Sequence, residues 1–457
     1  MRVARKRKNA AYRRIKPPPD VRKRLSTLPW WCWILLIVLA EALVVLIILP
    51  TPWSTAVGNG DGAEYQRYAF NLLHHGVFSE SPIAPYYPGV VRSPGYPAFL
   101  AALEWIGGRH AIVVQATQFG VLAVMAILVG VIGREVAGPA VGNFAAVLCA
   151  TYLPFLGYAT EFLTEDLTGC LLCAAVLLLL RARRAEGAGI YAALGLVLAA
   201  VTFVRPDCAL LAVPIVLVLL LGRRSPSSLA KRTTAVATLS AALLIPLVPW
   251  IIRDASVTGG SLVPMEASGG VSLLASADQY DGLVSAGFTN SNLWDAQVGR
   301  LVGVPAAAKQ GIQATVKYVD ARRQVQVDSQ ERSDALRLFK MISLATILER
   351  VPKLLVYLWA TADQDPPASA STAWRRVAQL QYVLLVVAGL IGLAVRRRQL
   401  LDDWPLWLVA ACLTLTQLIF HVEARYTLPA RPMLMVYAAV GALTVGAPLA
   451  RGRVGHA

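Results

Sequence analysis

Charged residues are scarce in this sequence, and their scarcity excludes an ordinary soluble domain. Only 15% of the 457 residues are charged and 56% are hydrophobic, with a mean hydropathy of +0.55. Soluble domains have about 25% charged residues. Acidic residues are the rarer sign, since 27 Asp and Glu stand against 43 Lys and Arg. The composition therefore indicates a polytopic membrane protein.

Several signatures of soluble enzymes are also missing. The large non-membrane segment 254–350 contains no dinucleotide fingerprint, P-loop or HExxH pattern, so ATP and nucleotide sugars have no sequence support as substrates. Cys170 and Cys173 form a CxxC pair, but no second pair lies within reach, which disfavours a zinc or redox site. No small-residue cleavage site follows the first apolar run, so we expect no cleaved signal peptide.

The basic residues are concentrated at the start of the chain. Residues 1–24 hold eleven Lys or Arg and one acid, Asp20, and an apolar run begins at Trp30. A basic run of this kind could bind nucleic acid. Beside a membrane segment, however, the positive-inside rule and attraction to anionic lipid explain it more simply. We therefore predict a disordered cytoplasmic tail at 1–29 and no nucleic-acid partner.

Ten apolar segments come close to the ~20 residues that span a bilayer. Two shorter apolar stretches, 96–107 and 351–362, are predicted to lie at the membrane surface. With ten crossings, every basic cluster falls on the cytoplasmic side and the acidic and aromatic loops fall outside. The predicted crossings are 30–50, 111–133, 139–158, 167–181, 188–204, 207–221, 233–252, 377–395, 404–422 and 430–449, and the basic clusters lie at 134, 181–184, 223–232, 396–398 and 451–453.

This pattern predicts an all-α polytopic protein of the cell membrane with both termini in the cytoplasm. The non-membrane region is predicted to begin as Gly- and Ser-rich loop and to become helical from Ala307 to Arg350. The predicted parts are the tail 1–29, an N-terminal membrane module 30–252 that includes an extracytoplasmic loop 51–110, the extracytoplasmic region 253–350, the C-terminal membrane helices 351–450 and a cytoplasmic tail 451–457.

The loop after the first apolar run carries the densest set of reactive side chains. Asp61 lies between two glycines, Glu64 and Tyr65 follow one helical turn later, and Arg92 opens the phrase RSPGYP. The stretch is too polar and too rich in Gly and Pro to lie in hydrocarbon. Carboxylates beside aromatic rings and a cation suit chemistry on a charged, lipid-linked substrate. A solvated loop whose acids cap short helices is the alternative.

A second acidic phrase follows the predicted crossing 139–158. It contains Glu161, Glu165 and Asp166, and three carboxylates at a membrane edge are costly unless they serve a function. Capping of the next helix by Thr164 is the alternative, and it suits Asp166 well.

Arginines mark three further membrane edges. Arg205 and Asp207 flank a proline at the tip of a predicted hairpin, where a simple ion pair is the favoured interpretation. Arg253 follows a Pro-Trp pair, and its guanidinium suits a lipid phosphate because it binds bidentately and keeps its charge. Near the C-terminus, His421 and the segment 423–426 (Glu-Ala-Arg-Tyr) suggest an anion site, with pairing of the Glu and the Arg as the alternative.

Together these phrases resemble the family-39-type membrane glycosyltransferases. That family includes protein O-mannosyltransferases and the aminoarabinose transferase of lipid A, and its members share the GT-C fold. The resemblance spans residues 56–440, apart from most of 265–345. The matching phrases are D-x-x-x-Y-x-x-x-A at 61–69, R-x-P-x-Y-P at 92–97, Thr164-Glu165, P-W-x-x-R at 249–253 and H-x-x-x-R-Y-x-x-P-x-x-P at 421–432.

The resemblance implies a GT-C bundle whose active site lies in the extracytoplasmic loops. It also implies transfer of a sugar from a polyprenyl-phosphate donor to an extracytoplasmic acceptor (a lipid, a cell-wall glycan or a protein), with inversion at the anomeric carbon. A membrane transporter or flippase is the competing class. That class would need polar residues or inverted repeats at mid-bilayer, and the apolar segments are nearly free of charge, with Glu41 as an exception.

The resemblance also implies roles for individual residues. A carboxylate must deprotonate the acceptor, and cations must stabilise the departing phosphate. Asp61 is the expected general base, with Glu165 assisting. Arg253 is the expected phosphate ligand, with Arg92 and Arg425 as further candidates. No cofactor is assigned, although a divalent metal between the two carboxylates is conceivable. The supporting candidates are Glu64, which could itself be the base, Tyr65, Glu161, His421 and Tyr426.

Overall fold

A computed structural model describes residues 28–48, 53–57, 60–183, 187–221, 228–281, 320–360 and 371–453. Every regular element within these ranges is a helix, which confirms the predicted all-α fold. Most of the predicted tail 1–29, the basic positions 184, 223 and 224, the segment 282–319 and residues 454–457 lie outside the described residues.

The N-terminal half is a series of apolar helices interrupted by short polar ones. A 3₁₀-helix, Pro206–Leu211, precedes α10, and a π-helical turn, Val44–Ile48, extends α1. In chain order the helices are α1 Trp30–Leu43, α2 Trp53–Val57, α3 Asp61–His75, α4 Gly95–Gly107, α5 Ala111–Ala137, α6 Pro139–Ala150, α7 Leu153–Tyr158, α8 Glu165–Ala182, α9 Ala188–Val204, α10 Ala212–Leu221 and α11 Leu229–Thr258.

The C-terminal half begins with polar helices and returns to apolar ones. The helical second half predicted for the non-membrane region is present from Ala321 onwards. A 3₁₀-helix, Ala424–Ala430, joins the last two apolar helices. The helices are α12 Gly269–Asp281, α13 Ala321–Met341, α14 Leu344–Ala360, α15 Thr372–Val395, α16 Trp404–Ile419 and α17 Arg431–Arg453.

By length and composition, five helical stretches in the described ranges can cross a membrane, and four shorter apolar helices accompany them. The chain is therefore a multi-pass membrane protein. The count of ten crossings stays a prediction, because several predicted crossings are short or broken. The segment predicted at 139–158 breaks at Thr151, just before Pro154, and the one at 207–221 starts as a 3₁₀-helix behind Pro206. Proline lacks the N–H that would continue the helical ladder.

The bundle core is built around α5. This helix packs against α1, α6 and α8, while α17 packs against α15 and α6. The shared core is filled by fully buried residues such as Leu122, Met125 and Leu172. Large apolar side chains on the outside, including Leu39 and Ile245, remain exposed in the chain by itself, as lipid-facing positions would be.

The predicted extracytoplasmic loop 51–110 contains the helices α2, α3 and α4. Acidic residues in the first turn of α3 favour its N-terminus through the helix dipole, and Gly76 ends it with a left-handed φ of 66°. α4 packs against α3, with the Tyr65 and Tyr96 rings 5.1 Å apart. A Cβ on Gly95 would lie 2.5 Å from the carbonyl oxygen of Phe203, so this close approach requires glycine.

The polar helices α12 and α13 form a small unit beside the bundle. They pack against each other, and the backbone N–H of Gly270 donates to Oδ1 of Asp328 over 2.6 Å. A Cβ on Gly270 would meet the Asp328 carbonyl oxygen at 2.1 Å, so the two helices touch at this glycine. α14 leads back to the bundle and exposes Leu344 and Leu348.

Charge is divided between the two ends of the bundle. At one end, Arg396 donates to both oxygens of Asp403 over 2.6 and 2.8 Å, and Arg183 pairs with Asp402. α8 runs from this end to Glu165 at the other, a helix of 18 residues and hence about 27 Å long at 1.5 Å per residue. The acidic and arginine phrases singled out in the sequence gather at that second end.

Candidate active site

Asp61 is held between two arginines from distant parts of the chain. Its Oδ1 accepts from Arg92 over 2.5 Å, and its Oδ2 accepts from Arg425 over 2.7 Å. Arg92 precedes α4, whereas Arg425 belongs to the 3₁₀-helix between α16 and α17. The Asp61 side chain is only 22% exposed. Three of the predicted site residues are therefore in direct contact.

The start of α3 is fixed by close backbone packing. A Cβ on Gly62 would lie 2.4 Å from the carbonyl oxygen of Val57 and 3.1 Å from that of Phe162. The N–H of Phe162 donates to the Ala56 carbonyl over 2.9 Å, which joins the segment before α8 to α2. Gly62 is needed for this packing, and Asp61 is thereby presented towards the arginines.

A second carboxylate shares Arg92. The Arg92 guanidinium donates to Oε2 of Glu64 over 2.7 Å and lies 5.4 Å from the centre of the Tyr65 ring. Glu64 is 4% exposed. Arg92 therefore bridges the two carboxylates that the sequence left open as candidates for the base.

Glu165 lies at the start of α8 without a hydrogen bond for its Oε2 among the described residues. It is 2% exposed. Burial raises its pKa, and Arg425 and Arg205 only partly oppose that rise. The environment of Asp61 has the opposite effect: burial would raise its pKa, but Arg92 and Arg425 hold it well below its usual range. The site thus holds two carboxylates with opposite proton affinities, an arrangement typical of acid–base sites.

The backbone of the loop before α8 is held by two glutamine side chains of α5. Gln118 on α5 donates its amide to the carbonyl oxygens of Ala159 and Glu161 over 3.1 and 2.6 Å, and Gln115 donates to that of Thr160 over 2.8 Å. These amides fix the path of the chain that leads to Glu165. The carbonyl of Glu161 is thus one of the three backbone acceptors that these amides bind.

Arg205 joins this cluster, although the sequence favoured only its pairing with Asp207. That pair is present but long, at 3.4 Å. The Arg205 guanidinium also lies 4.8 Å from the centre of the Tyr426 ring, which Arg425 approaches at 5.0 Å. The buried Nη1 of Arg205 has no hydrogen-bond partner in the part of the chain that the structure describes. The Arg-Pro phrase was the available sequence signal.

Glu266 was missed entirely, because it lies in the region without family resemblance. Its Oε2 accepts from the backbone N–H of Ser93 over 3.2 Å, and its Oε1 accepts from Ser268 over 2.7 Å. Burial raises its pKa, and the nearby Arg92 opposes the rise. No sequence pattern pointed to this position.

His421 lies beside the same cluster. Its ring centre is 5.7 Å from that of Tyr426, with the rings nearly perpendicular. Its Nε2 is buried and has no hydrogen bond in the described ranges. The same burial leaves the ring with few polar neighbours beyond Tyr426 in the described contacts.

Arg253 occupies a different position from the one its predicted role suggested. Its Nη1 donates to the carbonyl oxygen of Gly89 over 2.7 Å and to Asp254 over 2.8 Å, and its Nη2 donates to the carbonyl oxygen of Phe78 over 3.3 Å. No contact among the described residues joins it to Asp61. Arg253 therefore fastens the segment 78–89 to α11, and its role as a phosphate ligand stays a prediction.

Metal ligation was left open between Asp61 and Glu165. Within the described residues, no group of three or more His, Cys, Asp or Glu side chains is arranged to hold a metal ion. In the described ranges, the buried polar atoms of the cluster without a hydrogen bond include Arg205 Nη1, Glu165 Oε2 and His421 Nε2. The cluster thus offers a guanidinium donor, a carboxylate oxygen and an imidazole nitrogen to a bound molecule.

Comparisons with known proteins agree with the fold. Residues 91–252 match the family described as dolichyl-phosphate-mannose-protein mannosyltransferase, a GT-C family. This match includes Arg92, Glu165 and Arg205 and leaves out Asp61 and Arg425. A search of curated proteins found no match.

Solved structures extend the likeness to nearly the whole chain. The oligosaccharyltransferase AglB of Archaeoglobus fulgidus, in complex with an inhibitory peptide and a dolichol-phosphate, is 15% identical with a TM-score of 0.53, covering 92% of this chain and 51% of that one. The A. fulgidus oligosaccharyltransferase tethered to an acceptor peptide is 13% identical with a TM-score of 0.52, covering 91% and 50%. ArnT of Cupriavidus metallidurans bound to undecaprenyl phosphate is 12% identical with a TM-score of 0.38, covering 92% and 80%.

The chain spans about half the length of the archaeal oligosaccharyltransferase that it matches. At these identities the likeness concerns the fold, and it confirms the predicted GT-C bundle. The sequence resemblance to family-39-type transferases is confirmed over the segment that the family match covers.

Proposed function

We propose that this chain, a membrane protein with the GT-C fold, is a glycosyltransferase that moves a sugar from a polyprenyl-phosphate donor to an extracytoplasmic acceptor. The observation that carries the proposal is the clamp of Arg92 and Arg425 on Asp61, beside the buried carboxylate of Glu165. A carboxylate and several guanidiniums at one site match the needs of the reaction, which are a base for the acceptor and cations for the departing phosphate.

The donor phosphate would compete with Asp61 for its arginines. A phosphate binds guanidinium as well as a carboxylate does, so donor binding would draw Arg92 or Arg425 away from the carboxylate. An Asp61 oxygen would then be released, and the pKa of Asp61 would rise because one of the cations that hold it down has moved. Asp61 would become a stronger base only when the donor is in place.

The transfer step then needs only the acceptor hydroxyl, the donor, the Asp61 carboxylate and the arginines. Asp61 takes the proton of the acceptor hydroxyl, and the acceptor oxygen attacks the anomeric carbon. The bond from that carbon to the phosphate oxygen breaks, and polyprenyl phosphate leaves with its new charge stabilised by the arginines. A single displacement inverts the anomeric centre. Glu165 would orient the acceptor through its free oxygen.

Release of the lipid product tests the proposal. Purified protein is incubated with labelled polyprenyl-phosphate sugars and a panel of acceptors, with the Asp61→Asn variant as the control. Formation of polyprenyl phosphate by the wild type alone supports a transferase. If no sugar and no acceptor yields it, while the protein moves a lipid-linked substrate across vesicles, the chain is a transporter or flippase and the proposal is wrong.

The orientation of the bundle gives a first prediction. If the positive-inside rule holds, the end with Arg183 and Arg397 faces the cytoplasm and the Asp61 cluster faces outside. In cells, an impermeant maleimide should label a cysteine at exposed position 83 and spare one at 397 until the membrane is opened. The cysteine-free parent protein is the control. Labelling at 397 from outside would contradict the proposed topology and the cytoplasmic termini.

Arg253 gives a second prediction. Arg253→Lys keeps a cation beside Asp254, which is 0% exposed, but loses the planar fork. If Arg253 also binds the donor phosphate, the KM for the donor should rise about 10-fold, equivalent to ~1.4 kcal/mol. Arg67→Lys is the matched control, because Arg67 holds the same segment through Glu80 over 2.8 Å. An equal rise in KM for both variants would mean that Arg253 only fastens the segment.

A further inference from the structure

The chain just before Arg92 is hydrogen-bonded to the polar segments that contain α12 and α13. The N–H of Val90 donates to Oε1 of Gln324 on α13 over 2.8 Å. The carbonyl of Val90 accepts from the backbone N–H of Ala267 over 2.6 Å. The Val90 side chain is 1% exposed and packs with Ala321. Both backbone groups and the side chain of one residue are thus held by the same region, two residues from Arg92.

The chain just before Arg425 is hydrogen-bonded to the same polar segments. The N–H of Val422 donates to Oε1 of Gln279 on α12, and the carbonyl of Val422 accepts from Nε2 of the same amide, each over 3.0 Å. Val422 is fully buried beside Tyr280, whose hydroxyl donates to the carbonyl of Leu418 over 3.0 Å. The Gln279 side chain thus satisfies both backbone groups of Val422, as a neighbouring strand would in a sheet. Val422 lies three residues from Arg425.

The two sets of contacts belong to one structural unit, since α12 and α13 are in contact at Gly270 and Asp328. Gln279 is 1% exposed and Gln324 is 4% exposed. Buried amides with satisfied hydrogen bonds hold their partners in one geometry, because a buried backbone group left unbonded carries its desolvation penalty without compensation. The helix pair therefore connects Val90 to Val422 across the outside of the bundle.

We infer that Gln279 and Gln324 are positioning residues, and that the α12–α13 pair is a brace that sets the separation of Arg92 and Arg425 around Asp61. The inference rests on the proposed transferase function for its effect on the reaction. It gives the region without family resemblance a part in the site. Each amide acts through a valine backbone on one arginine, and neither has a described contact with Asp61.

The test compares single and double variants of the two amides. Gln324→Leu and Gln279→Leu should each lower kcat about 10-fold with little change in the KM for the donor, because a small displacement of a reacting group reduces turnover strongly. Gln324→Glu keeps an acceptor for the Val90 N–H and should recover most of the turnover. Gln381→Leu is the matched control: Gln381 brackets Thr151 and Leu153 in the same manner, on a segment that carries neither arginine.

A second measurement is independent of turnover. In hydrogen exchange of the full-length protein, Gln279→Leu should deprotect the peptide containing 420–426, and Gln324→Leu the peptide containing 88–93. If the wild type is active and both leucine variants have the same kcat as the wild type, the inference is wrong but the proposed transferase function stands. Absence of turnover in the wild type would refute the proposed function instead, and unchanged exchange in the leucine variants would then refute the brace as well.

Discussion

Asp61→Asn is expected to lower transfer by at least ~100-fold, the contribution of a positioned base. The substitution preserves size and removes the charge that both Arg92 and Arg425 contact. The amide cannot take a proton from the acceptor, and it cannot hold the arginines as an ion pair. Turnover measured as release of polyprenyl phosphate, at saturating donor, gives the result.

The same variant should also lose stability. Asp61 is a clamped, largely buried carboxylate, and charged hydrogen bonds of this kind contribute about 1.5–3 kcal/mol each. Asp403→Asn is the matched control. It removes a carboxylate partner, itself only 4% exposed, from Arg396 at the opposite end of the bundle. A similar loss of thermal stability with normal turnover in Asp403→Asn would show that inactivity of Asp61→Asn arises from the site.

Glu64→Gln decides between the two candidate bases. Glu64 shares Arg92 with Asp61, so either carboxylate could be released when that arginine binds a phosphate. We expect Glu64→Gln to retain more turnover than Asp61→Asn, because the Asp61 carboxylate contacts both arginines. If Glu64→Gln abolishes transfer and Asp61→Asn spares it, the roles must be exchanged. Normal transfer in both variants would place the catalytic centre elsewhere.

Glu165→Gln is expected to reduce turnover and raise stability together. The charges of Arg425 and Arg205 act on Glu165, but its Oε2 forms no hydrogen bond within the described residues. Removing its charge should cost about 10–100-fold in kcat if that oxygen orients the acceptor. The stability should rise near neutral pH, since a buried, unbonded carboxylate penalises folding.

The pH dependence of stability shows why Glu165→Gln should be more stable than the wild type near neutral pH. Burial raises the pKa of Glu165 in the folded protein, so the folded state keeps a proton that the unfolded state has already lost. Stability therefore falls as the pH rises above about 4.3, the pKa of an unfolded glutamate. Glu165→Gln should be more stable than the wild type above that pH and equal to it below. Melting curves between pH 4 and pH 8 measure this difference.

Glu331→Gln is the matched control for Glu165. Burial, followed by the charges of Asp328 and Asp334, raises the pKa of Glu331 to about 8, and the residue lies on α13, which contains neither Arg92 nor Arg425. Both glutamine variants should gain stability near pH 7.5, and only Glu165→Gln should lose turnover. Wild-type turnover should rise with pH as Glu165 ionises, and its variant should lack that rise. Equal activity of the two variants would exclude a role for Glu165.

Composition and local patterns determined the class of this protein. A sequence with so few charges cannot form a soluble surface, and apolar runs of bilayer length separated by basic clusters specify a multi-pass bundle. The phrases around Asp61, Arg92, Glu165 and Arg425 also identified residues that the fold brings to one end. Such local signals survive because helix formation and membrane insertion depend on neighbouring residues in the chain.

The contacts within the site were decided only by tertiary structure. No sequence spacing predicts that Arg425 reaches Asp61 across 364 positions, or that Arg253 binds the carbonyls of Phe78 and Gly89 rather than that carboxylate. Glu266 and the two glutamines of the brace lie in sequence with no recognisable pattern. Their roles come from packing, because a buried amide or carboxylate takes whichever polar groups the fold places beside it.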